Sequence, residues 1–586
     1  MCGIVAAILL DKQAKLKNKE EAAKLGAKLT GRLMHRGPDD MGVHVGENFW
    51  MGHTRLSIVD PKNGHQPLTD QSKTSFVVAN GEIYNHKALK EELRIGDEEL
   101  VTHSDSEVII HAYKKIGNEV CTKLIGMFGF VLVTEDGDVL ACRDKIGIKP
   151  LYMGKSKDGT EMFFASELKA IVDQCTPDDL MLVPAGHYWT RETGLVDYYQ
   201  PEWDVENYSA QFQTADNQVE SLSEKSDSEE STPKRFATAE ECKKSLEEAV
   251  ILRCMADVEV GLLLSGGLDS SILGAIMVQP HVRKHLTATK KLKSFAVGQE
   301  GSPDIIAARC VAEQLGTDHI EAIFTPEMAF EILENVVYHA ETYEPELLRS
   351  CIPNYFLAKK TAEHVKVVLT GEGSDELWSG YLYYNDCKDA MTLQNENRRI
   401  LKAVQDANLL RCDRMAMAHS LEARVPFFDV NNLAVSMRVD PAKKLIKKGA
   451  DKSEDQFCEK WMLRKMYEDI VAPEVVWRTK AMQCEGVGMT WVKALQNHIS
   501  TNLVTDEQFS KAESLFPKNP PQTKEEYYYR TIFEKYYPGC EKFVHVWPGG
   551  CRAGGAPWKN EQYTRAGLVN TEMLKKGHGL ADKINV

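Results

Sequence analysis

Cys2 follows the initiator methionine directly, in Met1-Cys2-Gly3-Ile4-Val5. Removal of Met1 leaves an α-amine and a thiol on one residue. A free α-amine titrates at about 7.7–8.0, so part of it is an unprotonated base near neutrality. The ionised thiol is a strong nucleophile. Cys2 therefore combines nucleophile and base without a separate histidine. A cysteine at this position arises by chance in most chains, so its meaning is decided further along.

Two clusters in the second half carry a different chemistry. Leu264-Ser265-Gly266-Gly267-Leu268-Asp269-Ser270-Ser271 separates an apolar run from a helical pattern. Its glycines let backbone N–H groups point outward, and a helix N-terminus adds its dipole, which together make an anion site. No G-K-[ST] follows, so the loop is not a Walker A motif, and it lacks the G-x-G-x-x-G of dinucleotide binders. Asp269 would repel a phosphate unless a cation lies between them, which points to Mg²⁺ and a polyphosphate. A plain strand-to-helix turn capped by Ser265 or Asp269 is the competing reading. The second cluster is Thr370-Gly371-Glu372-Gly373-Ser374-Asp375-Glu376, with three carboxylates in five residues. Alone it reads equally as an acid-rich helix start. Serine-hydrolase and zincin motifs are missing. His281 and His285 read as surface histidines and the lysine-rich stretch 443–448 as a solvated face.

The elements that must position these residues divide the chain. With 586 residues, at least two domains are expected. Residues 1 to about 200 are strand-rich, with apolar runs at 4–10, 76–79 and 127–133 and a helix over 18–34. Residues 204–235 are acidic and serine-rich, with little to bury, and read as a disordered spacer carrying candidate phosphorylation sites. From 238 helices and strands alternate: helix 239–255, strand 258–264, helix from 270, strand 294–297, helix 305–315, strand 320–324, helices 326–339 and 352–363, strand 365–369. Such alternation predicts a parallel sheet with helices on its faces. Beyond 398 the pattern is helical, and after 538 a poorly packed tail is expected.

Bulk properties narrow the partners. A net charge of −15 argues against nucleic acid. No run approaches the ~18–20 apolar residues of a membrane span. The N-terminus lacks a basic leader, so no signal peptide is expected, and the 14 cysteines, without C-x-x-C, read as reduced thiols of a cytosolic protein.

Taken in order, Met1-Cys2-Gly3-Ile4, His35-Arg36-Gly37-Pro38-Asp39, His53 to Asp60, Asn80-Gly81-Glu82-Ile83-Tyr84-Asn85-His86, Ser104-Asp105, Ser265 to Ser271 and Gly371 to Glu376 resemble the glutamine-hydrolysing asparagine synthetases. The resemblance implies a class II, N-terminal-nucleophile amidotransferase domain over 2–203, with antiparallel sheets between helices. It implies an ATP pyrophosphatase domain over 236–535, followed by a flexible tail over 536–586. Cys2 would attack the glutamine carboxamide, with Asn80 and the Gly81 N–H as oxyanion hole. Arg55 would bind the α-carboxylate, Glu82 and Asp105 the α-ammonium, and Leu56, Ser57, Ile58 and Val59 would line that pocket. In the second domain ATP would activate the aspartate side chain as β-aspartyl-AMP. Ser265, Gly266, Gly267 and Ser270 would hold pyrophosphate, and Asp269 and Asp375 Mg²⁺. Leu264, Val297, Thr370 and Gly371 would contact the nucleotide, and Glu372 the activated intermediate. Arg349 and Lys480 align with basic residues near the phosphates. Ammonia would pass internally between the sites, and a homodimer is implied. The alternatives are a ligase for another carboxylic acid, against which Cys2 argues, and a non-catalytic glutamine or nucleotide sensor, against which the intact Cys2, Asn80, Asp269, Glu372 and Asp375 argue.

Overall fold

The computed structural model describes residues 2–134, 136–213, 234–287, 291–381, 383–384, 387–446, 458–478, 486–488 and 491–544. Met1, Lys480, the centre of the acidic spacer and the chain beyond 544 lie outside the described residues.

Strand Gly3–Leu9 is apolar at every position after its glycine because both of its faces are covered. Ile4, Ala6 and Ile8 pack on a second sheet, while Val5 and Ala7 join Leu29 and Leu33 on the opposite side. Leu29 belongs to helix Lys19–Gly31, started by Asn18, whose side chain accepts from the backbone N–H of Glu20 and Glu21. The first sheet has six antiparallel strands, in the order Met181–Leu182, Tyr152–Lys155, Glu161–Ala165, Gly3–Leu9, Phe49–Arg55, Asp40–Val45. The second also has six: Gly194–Asp197, His187–Thr190, Val139–Arg143, Gly126–Val133, Phe76–Ile83, Leu68–Thr69. Its outer face carries Val77, Ala79, Phe130 and Leu132 against helix Val108–Ile116. The result is a helix–sheet–sheet–helix sandwich, the antiparallel architecture expected for the first half.

The second half is built on five parallel strands in the order Asp318–Ile323, Lys293–Gly298, Val260–Leu263, Val367–Leu369, Glu422–Arg424. The first strand in the chain, Val260–Leu263, thus lies beside the fourth, Val367–Leu369. The connections leave these two neighbours in opposite directions, so a crevice opens at their carboxyl ends. Both chemistry-bearing loops emerge there. The sheet extends into the region expected to be helical: Glu422–Arg424 pairs in parallel with Val367–Leu369. Its Glu-Ala-Arg sequence offers no apolar run, and its two charged side chains satisfy each other at 2.6 Å. Helix Pro345–Ala362 begins earlier than expected, with Pro345 in its first turn and Glu344 accepting from the Leu347 N–H.

Packing extends past the expected boundaries. Tyr208 and Phe212 are buried, and Asp204 pairs with Arg398 and Lys402 at 2.7 and 2.8 Å. Helix Lys524–Tyr536 continues into buried Tyr537 and Cys540, and Phe543 stacks edge-on against Tyr152. Lys444 corrects the solvated-face reading of the lysine run. It is buried over Trp378, its Nζ donates to the carbonyls of Leu377 and Ser436 at 2.8 and 2.7 Å, and burial pushes its pKa down to about 7. Among the described residues no helix is long and apolar enough to cross a membrane.

The halves are fused rather than tethered. Leu56, Ile58, Tyr84, Met127 and Ile148 share one apolar cluster with Leu246, Leu262 and Leu401. Beside it lies a buried ionic cluster. Arg414 donates to Glu341 and to the Ser166 carbonyl at 2.8 and 3.2 Å and meets Glu167 at 3.0 Å. Removing one partner of a buried ion pair costs about 3–5 kcal/mol, because the other charge is left uncompensated. Arg414→Ala is therefore expected to lower the urea midpoint of unfolding clearly; a midpoint equal to the parent's would show that the cluster does not hold the halves.

Candidate active sites

The first site is built where strand Gly3–Leu9 begins. Cys2 is buried, and its nitrogen donates to Asn80 Oδ1 at 3.0 Å. Asn80 lies in strand Phe76–Ile83 with no exposed surface, and its Nδ2 has no hydrogen-bond partner among the described residues. A buried amide donor without an acceptor is rare and costly. A ligand oxygen bound beside Cys2 would supply the missing acceptor. Gly81 follows at φ 137°, and a Cβ there would fall 1.8 Å from the Met127 carbonyl oxygen, so only glycine fits. Burial raises the Cys2 thiol above its ordinary value.

Around it stand the charges a free amino acid needs. Arg55 ends strand Phe49–Arg55, and its guanidinium donates to the carbonyls of Val59, Asp60 and Pro61 at 3.2, 2.6 and 3.2 Å. The loop over Leu56, Ser57, Ile58 and Val59 thus wraps a fixed cation. That loop is tied down from both sides: Ser57 N donates to Asp39, and the Ile58 carbonyl accepts from Asp257 N in the other half. Glu82 and Asp105 are both buried. Burial, then repulsion from Glu422 and Asp105, holds Glu82 well above the usual carboxylate range, and burial raises Asp105. Arg424 meets Glu82 at 3.3 Å. Three crowded carboxylates form a seat that a ligand ammonium would stabilise. Glu422 and Arg424 belong to the other half of the chain and carried no sequence signal.

The second site lies in the crevice of the parallel sheet. Gly266 turns the loop at φ 70°, and Ser265 Oγ accepts from Gly267 N at 3.3 Å. Ser270 Oγ accepts from Ser265 N at 3.2 Å, drawing the loop onto helix Leu268–Met277. Gly371 brings the second loop against the first: a Cβ there would stand 2.8 Å from Asp269 Cβ. Ser374 Oγ donates to Asp269 at 2.7 Å. Leu264, Val297 and Thr370 are buried around the crevice. Glu372 is paired with Arg411 at 2.6 Å.

Two cations at this site were missed. Lys460 Nζ lies 2.6 Å from Asp269 and 2.5 Å from Asp375, bridging both carboxylates. Arg478 donates to the Gly266 carbonyl at 3.2 Å and to Asp304 at 2.9 Å. Arg349's guanidinium is bidentate with Glu525 of helix Lys524–Tyr536 at 3.0 and 2.6 Å. His281, as expected of a surface residue, pairs with Glu247.

A thiol-and-amide site in an antiparallel sandwich, fused to an anion-binding crevice in a parallel sheet, defines a two-site glutamine amidotransferase–ligase. Residues 1–191 match the family model described as glutamine amidotransferase domain, and 241–400 with 386–564 match asparagine synthase. Asparagine synthetase [glutamine-hydrolyzing] 2 of Arabidopsis thaliana is 40% identical over 94% of this chain and 90% of its own length. Asparagine synthetase [glutamine-hydrolyzing] 3 of the same plant is 39% identical over the same shares. A probable asparagine synthetase [glutamine-hydrolyzing] of Dictyostelium discoideum is 38% identical over 93% and 96%. The chain belongs to the asparagine synthase family.

Gly266 offers a direct test of the loop geometry. A side chain in the left-handed region costs about 1–2 kcal/mol, and a Cβ at Gly266 would also fall 2.4 Å from Ala307 backbone. At Gly267 a Cβ would meet only Ser265 Oγ, at 3.2 Å. Gly266→Ala is expected to lower the thermal midpoint by more than Gly267→Ala; equal midpoints would contradict the geometry.

Proposed function

We propose that this chain makes L-asparagine from L-aspartate, ATP and glutamine, at two sites in one molecule. The observation that carries the reading is the intact pair of sites: Cys2 on Asn80 in the sandwich, and the two touching loops in the crevice. The two family matches along this chain and the relatives named glutamine-hydrolyzing asparagine synthetases support it.

At the first site Arg55 receives the α-carboxylate of glutamine as a bidentate partner. Glu82 and Asp105 receive its ammonium. The Cys2 amine takes the thiol proton, and the sulfur attacks the carboxamide carbon. Asn80 Nδ2 and the Gly81 N–H stabilise the oxyanion, where one donor is typically worth about 10²–10³ in rate. The amine returns the proton to the departing nitrogen. Ammonia leaves, a thioester remains, and water releases glutamate. With Met1 attached, the Cys2 nitrogen is an amide and cannot be the base, so the mature enzyme begins at Cys2.

At the second site Ser265, Gly266, Gly267 and Ser270 hold the β- and γ-phosphates, and Leu264, Val297, Thr370 and Gly371 flank the nucleotide. Asp269 and Asp375 suit Mg²⁺, because their hard oxygens already converge on one cation, the Lys460 ammonium. No group of three metal-ligating side chains occurs among the described residues, so phosphate and water oxygens would complete the shell, as Mg²⁺ favours. A Mg²⁺ ion held by Asp269 and Asp375 would supply positive charge to offset the polyphosphate. Aspartate's β-carboxylate attacks the α-phosphorus and pyrophosphate leaves. Ammonia attacks the acyl carbon, AMP departs, and Glu372 accepts the proton that the new amide sheds. Lys480 stays with the phosphate-binding set by resemblance.

Ammonia crosses within the protein, since water would dilute and protonate it. A cavity of about 10 Å³ lined from both halves, by Arg143, Ile148, Gln405, Leu409 and Asp413, supports this route. It has room for one water-sized molecule. Free thiols among the described residues suit the reducing cytosol, and the family resemblance carries a homodimer, which light scattering would check.

The division of labour is tested by two substitutions. Cys2→Ala is expected to abolish glutamine-driven asparagine synthesis while ammonia-driven synthesis persists. Glu372→Ala is expected to abolish synthesis from either nitrogen source and to spare glutamate release. Loss of both activities in Cys2→Ala, or synthesis retained in Glu372→Ala, would overturn the assignment.

A further inference from the structure

One helix of the second half touches the machinery of both sites. Helix Asn408–Met417 places Arg411 on Glu372, with Nη2 donating to Oε1 at 2.6 Å. Two residues on, about 200° around the helix axis, Asp413 faces the sandwich. Its carboxylate accepts from Arg36 Nη1 at 2.9 Å and from Arg36 Nη2 at 3.3 Å. Arg36 Nε in turn donates to the Cys2 carbonyl oxygen at 2.9 Å. Glu167 takes the remaining Arg36 bond, to Nη1 at 2.6 Å. Arg36, Asp413 and Glu167 are all buried.

The geometry makes the orientation of Arg36 a consequence of Asp413. A guanidinium held at one edge by a bidentate carboxylate has a fixed plane. That plane aims Nε at Cys2. Nothing in the sandwich replaces this hold, because Glu167 contacts only one nitrogen of Arg36 and is shared with His35, Lys169 and Arg414. Neighbouring charges keep Asp413 ionised. Burial opposes its charge, but Arg36 and Lys149 outweigh burial and hold its carboxyl below the usual range. Lys149 Nζ stands 3.5 Å away and Arg414 4.0 Å.

We propose that Asp413 is a positioning residue for the Cys2 nucleophile, supplied by the ligase half, and that helix Asn408–Met417 links Cys2's orientation to the state of Glu372. This rests on the reading of Cys2 as the glutaminase nucleophile. When Glu372 turns to the adenylated intermediate it competes with its pairing to Arg411. The helix that carries Arg411 also carries Asp413, so the change reaches Arg36 without crossing solvent. Glutamine cleavage is then favoured when an acceptor is waiting. By linkage, a ligand shifts such an equilibrium only through contacts that differ between its two states, and the Glu372–Arg411 pair is such a contact.

The test uses the full mature chain. Glutamate release is measured at varied glutamine, with and without ATP, Mg²⁺ and aspartate, and asparagine synthesis is measured with ammonia. Asp413→Asn keeps the shape and removes the charge. Its kcat for glutamate release is expected to fall about tenfold with KM for glutamine within twofold, the pattern of lost transition-state alignment. Ammonia-driven synthesis should stay within twofold of the parent. The stimulation of glutamate release by ATP and aspartate should fall toward one. Asp413→Glu should recover part of kcat. Asp413→Asn combined with Lys149→Gln restores the charge balance, guards against misfolding, and should show the same split. A parental kcat and stimulation in Asp413→Asn, or a parallel fall of both activities in the charge-balanced pair, would overturn the proposal. Glutamate release that survived Cys2→Ala would instead strike the underlying reading, and is judged from that variant alone.

Discussion

Arg36 lies without exposed surface between Glu167 of the sandwich and Asp413 of the second half, and it holds the carbonyl of Cys2. A buried cation in such a place demands its partners, since desolvating a lone charge costs several kcal/mol. Each half alone supplies an incomplete set. The same holds for Glu82 and Arg424, and for Arg414 with Glu167 and Glu341. The two halves are therefore not free to separate and rejoin, and the distance between the two chemistries is fixed by the charges that bind them. Fixed separation is what an internally transferred, volatile base requires.

Within that frame each site tunes its own groups. Burial raises the Cys2 thiol above its ordinary value. Burial, then repulsion from Glu422 and Asp105, raises Glu82 well above the usual carboxylate range, so a cation placed there would relieve a repulsion already present. In the crevice the logic is inverted: Asp269 and Asp375 are already neutralised by Lys460. Any second cation at these two carboxylates would have to displace or reorient that lysine. The first site waits for a cation; the second holds one in place.

Much of this was readable in the residues. The apolar runs at 4–10 and 127–133, the strand–helix alternation from 238 and the two glycine-rich loops appear as elements where the pattern placed them, because they answer to local burial and turn chemistry. What the pattern did not show is held by long-range charge. Asp413 meets Arg36 across 377 positions, and no periodicity marks such a pair. Glu422–Arg424 forms a strand without an apolar run: Arg424 pairs with Glu422 and Glu82, and only Ala423 joins a core. Lys460 looked like any lysine in a polar stretch. Lys444 looked solvated, yet two backbone carbonyls hold it inside. Carbonyls leave no trace in a sequence.

The central claim is that nitrogen released at Cys2 reaches the adenylated carboxylate without entering bulk water. Amide-¹⁵N-glutamine, supplied beside a large excess of unlabelled ammonium at a pH where free ammonia is scarce, tests it most directly. Mass spectrometry of the asparagine formed should show its amide carrying the glutamine label nearly undiluted. Asparagine labelled only in proportion to the mixed ammonia pool would contradict the account.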